Sequence, residues 1–198
     1  MKTIRISNEK DIQQVEDTVL VLGYFDGLHR GHQALFAEAR KIATEKQLKI
    51  AVLTFPESPK LAFVRFQPDL LLHLNSPEER EQLLANQGVD YLYLIDFTSH
   101  FSANTAADFF EKYVKSLKAK AVVAGFDYHF GSDRREVHEL NQFFDGQIII
   151  VPSINHENEK ISSTRIRKAI KEGCVAEATQ LLSYPFSTRG IVVHGNAR

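Results

Sequence analysis

The chain has 198 residues, of which 43% are hydrophobic and 25% are charged, and its formal net charge is −1. This composition is typical of a folded globular protein with a sizeable core, and a charge so close to neutral excludes a general attraction to nucleic acid or anionic membranes. The single cysteine, Cys174, excludes an internal disulfide framework and fits a reducing compartment. The first residues lack the apolar core of a signal peptide, and the aliphatic runs are too short to span a membrane. We therefore expect a cytoplasmic protein without a nucleic-acid or membrane partner.

Apolar stretches rich in β-branched residues alternate along the chain with stretches whose apolar residues recur at helical spacing. The predicted strands cover residues 18–25, 48–55, 89–97, 119–126 and 146–152. The predicted helices cover residues 32–46, 76–88, 104–117, 135–144, 162–173 and 175–182. This alternation predicts an α/β fold, with a doubly wound, mostly parallel five-stranded sheet and helices on both faces. Ligands of such folds bind beyond the carboxyl ends of the strands, near the point where the strand order reverses.

The stretch GYFDGLHRGH, residues 23–32, follows the first predicted strand. Gly23 and Gly27 allow the backbone to turn sharply and to approach a ligand closely. The next helix begins near Gly31, so its free N–H groups and positive dipole end form an anion site beside His29 and His32. This arrangement suits phosphate oxygens, whereas zinc needs three or four protein ligands and no further ligand motif follows. Packing or helix capping by the two histidines is the structural alternative.

The stretch ISSTRIR, residues 161–167, opens a predicted helix near the carboxyl end of the chain. The hydroxyl groups of Ser162, Ser163 and Thr164 can cap this helix, or they can bind phosphate together with a guanidinium group. Arg165 and Arg167 are two residues apart and cannot share one helix face. We expect Arg167 to bind phosphate and Arg165 to be solvated.

Two loops that follow predicted strands complete the candidate site. In GFDYHFGSDRR, residues 125–135, the rings of Phe126, Tyr128 and Phe130 can form a stacking platform for a flat ligand, or they can plug the edge of the sheet. In TFPESPK, residues 54–60, two prolines stiffen the loop. Because all four segments should meet at one rim of the sheet, the sequence predicts a nucleotide or polyphosphate site with an aromatic neighbour.

These segments resemble two signatures of the HxGH nucleotidylyltransferases, G-x-F-D-G-x-H-x-G-H and I-S-S-T-x-x-R. With TFPESP and GFDYHFG, the resemblance narrows to the FAD synthetase module of bacterial bifunctional riboflavin kinase/FAD synthetases. It implies a Rossmann-like fold and transfer of the adenylyl group of ATP to FMN, giving FAD and pyrophosphate without a covalent intermediate. An acceptor other than FMN, or a nucleotide- or flavin-binding module without catalysis, are the alternatives.

The resemblance also implies how the chain is divided. Residues 1–183 would form the FMN adenylyltransferase domain, and residues 184–198 would be a linker and the first strand of a truncated riboflavin kinase barrel. Riboflavin kinase activity is therefore expected to be absent from this chain, although the kinase module would be covalently linked in the full-length protein. The chain departs from the family at Glu136, where glycine is usual, and in LLSY, residues 181–184, where the family has LLGR.

Residue roles follow from the same resemblance. The catalytic residues would be His29, His32 and Arg167. The ATP-binding residues would be Gly23, Tyr24, Phe25, Asp26, Gly31, Ser162, Ser163 and Thr164. The FMN-binding residues would be Phe55, Asp127, Tyr128, Phe130 and Arg134, although the loop Pro56–Pro59 differs from the usual Asp-Pro-His-Pro. Mg²⁺ would be held mainly by the ATP phosphates, so no protein metal ligands are assigned.

Overall fold

The computed structural model describes residues 1–14, 16–62 and 71–190. Its strands, in chain order, are β1 (Lys2–Ile6), β2 (Thr18–Leu22), β3 (Lys49–Thr54), β4 (Tyr91–Ile95), β5 (Ala119–Gly125), β6 (His129–Phe130), β7 (Arg135–Glu136), β8 (Gln147–Val151), β9 (Asn155–His156) and β10 (Glu159–Lys160). Its α-helices are α1 (Arg30–Lys46), α2 (Pro77–Asn86), α3 (Ser99–Ser102), α4 (Ala106–Phe109), α5 (Ser163–Lys171) and α6 (Val175–Leu182).

Six of these strands form one parallel sheet in the order β1-β4-β3-β2-β5-β8. The chain runs outward from β2 to β3 and β4 and then returns to place β5 on the other side of β2. The strand order therefore reverses between β2 and β5, and a ligand crevice is expected at their carboxyl ends. The predicted α/β class is confirmed.

The sheet contains one strand more than the five predicted from the sequence. The additional strand is β1, which pairs with β4 from Lys2 opposite Tyr91 to Ile6 opposite Ile95. Only Ile6 of this edge strand is fully buried, and two of its five residues are charged. Its short, mostly exposed sequence lacks the continuous apolar run by which the other five strands were recognised.

Apolar side chains cover both faces of the sheet, as the alternation of side chains along β2 illustrates. Leu20 and Leu22 lie in one buried cluster, with the aromatic residues that follow α3, while Val19 and Val21 lie in another, with α1. A third cluster joins α5 and α6 to Leu74. The described part of the chain contains no helix long and apolar enough to cross a membrane.

Two predicted helices differ from the structure. The one predicted at 104–117 consists of α4 followed by a π-helical turn, Phe110–Val114. The one predicted at 135–144 is wrong, because its first two residues pair with β6 as strand β7 and the rest form a 3₁₀ turn, Val137–Gln142. At the carboxyl end, Tyr184 and Phe186 pack against the third cluster. The predicted barrel strand at 190–198 lies, apart from its first residue, outside the described residues.

Candidate active site

The GYFDGLHRGH segment forms a tight turn between β2 and α1, at the point where the strand order reverses. All five residues of β2 are buried, and the turn begins directly after them. A Cβ atom on Gly23 would lie 2.6 Å from the Cζ atom of Phe25, so glycine allows this ring to fold back against the chain. The Phe25 ring is completely buried and meets the His32 ring edge-on at 5.3 Å. The whole residue is 0% exposed, so Phe25 supports the turn from within, although the sequence analysis expected it to bind ATP.

His29 and His32 form a stacked pair at the first turn of α1. Their ring centroids lie 3.7 Å apart at an interplanar angle of 16°. The Nδ1 atom of His29 accepts a hydrogen bond of 3.3 Å from the backbone N–H of His32 and thereby caps the helix. A Cβ atom on Gly31 would lie 3.1 Å from this His29 ring, so the close approach favours glycine. The capping role is real, and it leaves Nε2 of His29 for a ligand.

The environment keeps both imidazoles neutral at pH 7. Burial lowers the pKa of His29 to about 4, and the positive charge of Lys160 adds to this effect. Burial also lowers the pKa of His32 well below its ordinary value, with contributions from His29 and Lys160. Because Nδ1 of His29 accepts a hydrogen bond, the proton of the neutral ring resides on Nε2, which becomes a donor. The Nδ1 atom of His32 is buried and has no hydrogen-bond partner among the described residues.

Asp26 joins this turn to the N-terminus of α5. It is only 5% exposed, and its Oδ1 atom accepts a hydrogen bond of 2.8 Å from the backbone N–H of Leu74. Its Oδ2 atom forms an ion pair with the Nη1 atom of Arg167, and its carbonyl oxygen accepts a 2.8 Å hydrogen bond from Ser163. Both carboxylate oxygens of Asp26 are thus occupied by protein groups. Its position supports a role in orienting Arg167, besides the direct ATP contact expected from the sequence.

The hydroxyl groups at the start of α5 have different partners. Ser162 accepts a hydrogen bond from the backbone N–H of Arg165 and caps the helix, Ser163 holds the carbonyl of Asp26, and Thr164 is exposed. The Arg167 side chain keeps 27% of its surface exposed while it is paired with Asp26. Helix capping therefore occupies Ser162, and it leaves Arg167 partly exposed beside the turn.

The expectation that Arg165 is solvated is wrong. Its side chain is 12% exposed and forms an ion pair of 2.8 Å with Glu177. It also donates to the carbonyl oxygens of His156 and Glu159, at 3.0 and 3.1 Å. The hairpin of β9 and β10 folds over this guanidinium group, so Arg165 fastens the hairpin to α5 and α6.

The loop after β5 brings one exposed ring to the site instead of a three-ring platform. Phe126 is 47% exposed, whereas Tyr128 is half-buried and Phe130 is 2% exposed. The Phe130 ring packs at 5.9 Å from Phe109 and 5.6 Å from Phe110, so it plugs the sheet edge. Asp127 in the same loop is exposed, and so is Arg134, which lies in the turn between β6 and β7.

A groove of about 280 Å³ lies beside the loop that follows β3. Its lining residues are Pro56, Glu57, Ser58, Leu61, Asp96, Phe97 and Thr98. The adjacent Phe55 is buried and packs edge-on against Phe97 at 5.2 Å. Arg80 donates to the carbonyl oxygens of Phe55 and Pro56 and lies 5.2 Å from the ring centroid of Tyr24. Burial raises the pKa of Tyr24 to about 12, and its hydroxyl contacts His73 at 3.3 Å.

Lys160 is a site residue that the sequence analysis did not find. Its Nζ atom forms an ion pair with Asp127 and lies 4.7 Å from the ring centroid of Phe126. Its charge also contributes to the lowered pKa of both stacked histidines. In the sequence, Lys160 is marked only by its position directly before the ISSTRIR segment.

The protein has an α/β fold with a glycine-containing turn and a helix N-terminus where the strand order reverses, an arrangement typical of the class of nucleotide-binding proteins. Comparison with known proteins specifies the family. The family described as FAD synthetase matches residues 11–165, and the chain belongs to this family.

Two curated relatives and one solved structure illustrate the similarity. The chain is 38% identical over 203 residues to a bifunctional riboflavin kinase/FMN adenylyltransferase of Listeria monocytogenes, with 100% of this chain and 64% of the relative covered. It is 33% identical over 182 residues to an FAD synthetase of the same organism, covering 89% of this chain and 73% of the relative. A crystal structure described as a macrolide-efflux protein from Streptococcus pneumoniae superposes with a TM-score of 0.95 at 54% identity, over 99% of this chain and 66% of that one.

Proposed function

We propose that this chain transfers the adenylyl group of MgATP to FMN and releases FAD and pyrophosphate. The observation that carries the proposal is the neutral, stacked pair of His29 and His32 at the start of α1. The Asp26–Arg167 ion pair connects the turn that holds these rings to α5. Membership of the FAD synthetase family and the printed name of the bifunctional relative support FMN as the acceptor.

The chemistry requires positioning and charge stabilisation. A phosphate oxygen of FMN attacks the α-phosphorus of ATP, a P–O bond forms, and the bond to the β-phosphate oxygen breaks as pyrophosphate leaves. The attacking oxygen is already anionic, so no general base is needed. Nε2–H of His29, the His32 ring and the guanidinium of Arg167 stabilise the negative charge that develops on the transferred phosphoryl group.

The remaining residues divide into ligand contacts and supports. The backbone of Gly23, Tyr24 and Gly31 and the hydroxyl of Thr164 approach ATP, while Phe25 supports the turn from within and Asp26, Ser162 and Ser163 keep the two helix ends in place. FMN lies between the groove next to Phe55 and the exposed residues Phe126, Asp127 and Arg134. Tyr128 and Phe130 form the floor beneath this loop, and Lys160 supplies a positive charge between the two substrates.

Magnesium enters this reaction as part of the MgATP substrate. Within the described ranges, no group of three or more His, Cys, Asp or Glu side chains could hold a metal ion. Asp26 and Asp127 are already paired with Arg167 and Lys160. We propose that triphosphate oxygens and water supply most of the ligands of the ion.

We also propose how this domain is placed within a longer protein. The chain spans 64% of the length of its bifunctional relative. We propose that residues 1–183 form the adenylyltransferase domain of a cytoplasmic protein, and that residues 184–198 lead into a covalently linked riboflavin kinase module.

The test is to incubate the purified chain with MgATP and one phosphate acceptor at a time. FAD and an equal amount of pyrophosphate should appear with FMN. Pantetheine phosphate, nicotinamide mononucleotide and glycerol phosphate should give much slower pyrophosphate release, as should ATP alone. Preference for one of these acceptors would overturn FMN as the substrate, and binding of ATP without pyrophosphate release would indicate a non-catalytic module.

A further inference from the structure

The segment that follows α6 makes direct hydrogen bonds to the turn that carries His29. The hydroxyl of Tyr184 donates to the carbonyl oxygen of Gly27 at 2.6 Å and makes a longer contact of 3.3 Å with the Oδ1 atom of Asn75. One hydroxyl proton serves one acceptor well, and the shorter distance selects Gly27. A residue 157 positions away in the sequence thus holds the backbone two residues before His29.

Gln33 of α1 reinforces the same contact. Its Nε2 atom lies 2.9 Å from the carbonyl oxygens of Leu28 and Leu182, and 2.8 Å from the hydroxyl of Ser183. Leu28 belongs to the turn, whereas Leu182 and Ser183 end α6. Hydrogen bonds at Gly27 and Leu28 therefore join the turn between β2 and α1 to the start of α1 and to the segment that ends α6.

The turn depends on such external support because its backbone is strained. Phe25, Gly27 and Leu28 have φ values of 63°, 77° and 33°. Left-handed backbone is unfavourable for residues with a side chain, and it persists only where the surroundings hold it. Gly27 has little free space, since a Cβ atom there would lie 2.5 Å from Cδ1 of Leu74 and 3.3 Å from Cδ2 of Leu182.

We propose that Tyr184 is a positioning residue for adenylyl transfer, whose hydroxyl orients the strained Gly27–Leu28 backbone and, through it, the His29 ring. This inference rests on the proposed function, because His29 is the group through which Tyr184 acts. The tyrosine ends the LLSY segment, residues 181–184, directly after α6.

Tyr184→Phe removes the hydrogen bond and keeps the ring. The turnover number for FAD formation should decrease about five- to tenfold, as expected for one lost hydrogen bond that acts on the transition state. The KM for FMN should stay within about twofold of the wild-type value. In nuclear magnetic resonance titrations, the pKa of His29 should rise from about 4 towards 6.5, because a loosened turn lets water reach the ring.

Tyr91→Phe is the matched control, because it removes a tyrosine hydroxyl that donates to the Glu16 carboxylate at the amino end of β4, away from the turn that carries His29. Neither its turnover number nor the pKa of His29 should change. Asn75→Ala tests the longer contact and should also leave both quantities unchanged.

The outcomes separate this inference from the proposed function. If the wild-type chain makes FAD and Tyr184→Phe has normal turnover and a normal His29 pKa, Tyr184 is not a positioning residue. An equal loss in Tyr91→Phe or Asn75→Ala would overturn the assignment as well. If the wild-type chain makes no FAD, the proposed function fails, and the His29 titration still decides whether Tyr184 orients that ring.

Discussion

At the scale of single residues, the neutrality of the two stacked histidines explains how they can share one site. Two imidazolium rings 3.7 Å apart would repel each other strongly in a buried site. Burial and the charge of Lys160 prevent this by lowering both pKa values. The rings remain hydrogen-bond donors without carrying charge, and the positive charges of the candidate site are those of Arg167 and Lys160.

Replacing His32 tests its place in this site. His32→Ala should reduce the rate of FAD formation by on the order of 100-fold or more, the usual effect of losing a charge-stabilising donor. The measurement is steady-state FAD production with MgATP and FMN. His138→Ala, which changes an exposed histidine that contacts Glu136, should retain full activity. Near-normal turnover in His32→Ala would exclude the assigned role.

The lowered pKa of His29 predicts how stability depends on pH. Its pKa falls from 6.5 to about 4 on folding, so between these values the unfolded chain binds a proton there that the folded chain does not. The free energy of unfolding therefore decreases as the pH falls through this window, and the contribution of the neutral ring is complete above pH 6.5. In His29→Gln, the slope of this free energy against pH should be smaller by about 1.4 kcal/mol per pH unit. Urea unfolding at several pH values measures the slope, and an unchanged slope would contradict the lowered pKa.

At the scale of elements, the first turn of α1 is built around the absence of a side chain at Gly31. The ring of His29 turns back onto its own helix, and the carbonyl oxygen of Ile161 lies 3.7 Å from the place where a Cβ atom would be. The close packing of the His29 ring therefore favours glycine at position 31, whereas helix propensity favours alanine.

Gly31→Ala separates these two effects. The added methyl group displaces the His29 ring by a few tenths of an ångström, and FAD formation should fall about tenfold. The free energy of unfolding should change by less than about 1 kcal/mol, because the gain in helix propensity offsets the strain. Thr44→Ala, at an exposed position of the same helix, should leave activity unchanged. A large loss of stability in Gly31→Ala would mean that the glycine serves folding instead of catalysis.

At the scale of the whole molecule, the reversal of strand order between β2 and β5 brings distant segments together. The turn before α1 and the loop after β5 leave neighbouring strands at the same edge, and the hairpin of β9 and β10 returns Lys160 to that edge. The resulting site contains hydrogen-bond donors and positive charges. Because their pKa values are lowered, His29 and His32 are weak bases.

This chemistry predicts which flavin the chain accepts. Riboflavin offers a neutral hydroxyl that must lose a proton to attack ATP, and histidines with such low pKa values are poorly suited to remove it. Residues 1–198 should therefore make no FMN from riboflavin and MgATP, while the same preparation makes FAD from FMN. Chromatography of the flavins measures both reactions. FMN production from riboflavin would contradict the prediction.

Much of the fold was predictable from the sequence because its signals are local. Apolar runs and caps such as Ser76 with Glu79 act over a few residues, and the five predicted strands lie where they were expected. The exposed edge strand β1 was missed because it carries no such run. The helix expected at 135–144 failed because the pairing of β7 with β6 outweighed a helical spacing of apolar residues.

By itself, the sequence determined the parallel α/β class and the location of the two candidate phosphate segments, because periodicity, glycines and helix starts are properties of neighbouring residues. Only the tertiary structure decided the partners of the polar groups. Asp26 and Arg167 are 141 positions apart, and Lys160 and Asp127 are 33 apart, so their pairing depends on how the sheet orders its strands. The same long-range packing buried Arg165 and Phe130 and placed Tyr184 on the turn before His29, since burial is a property of the assembled layers.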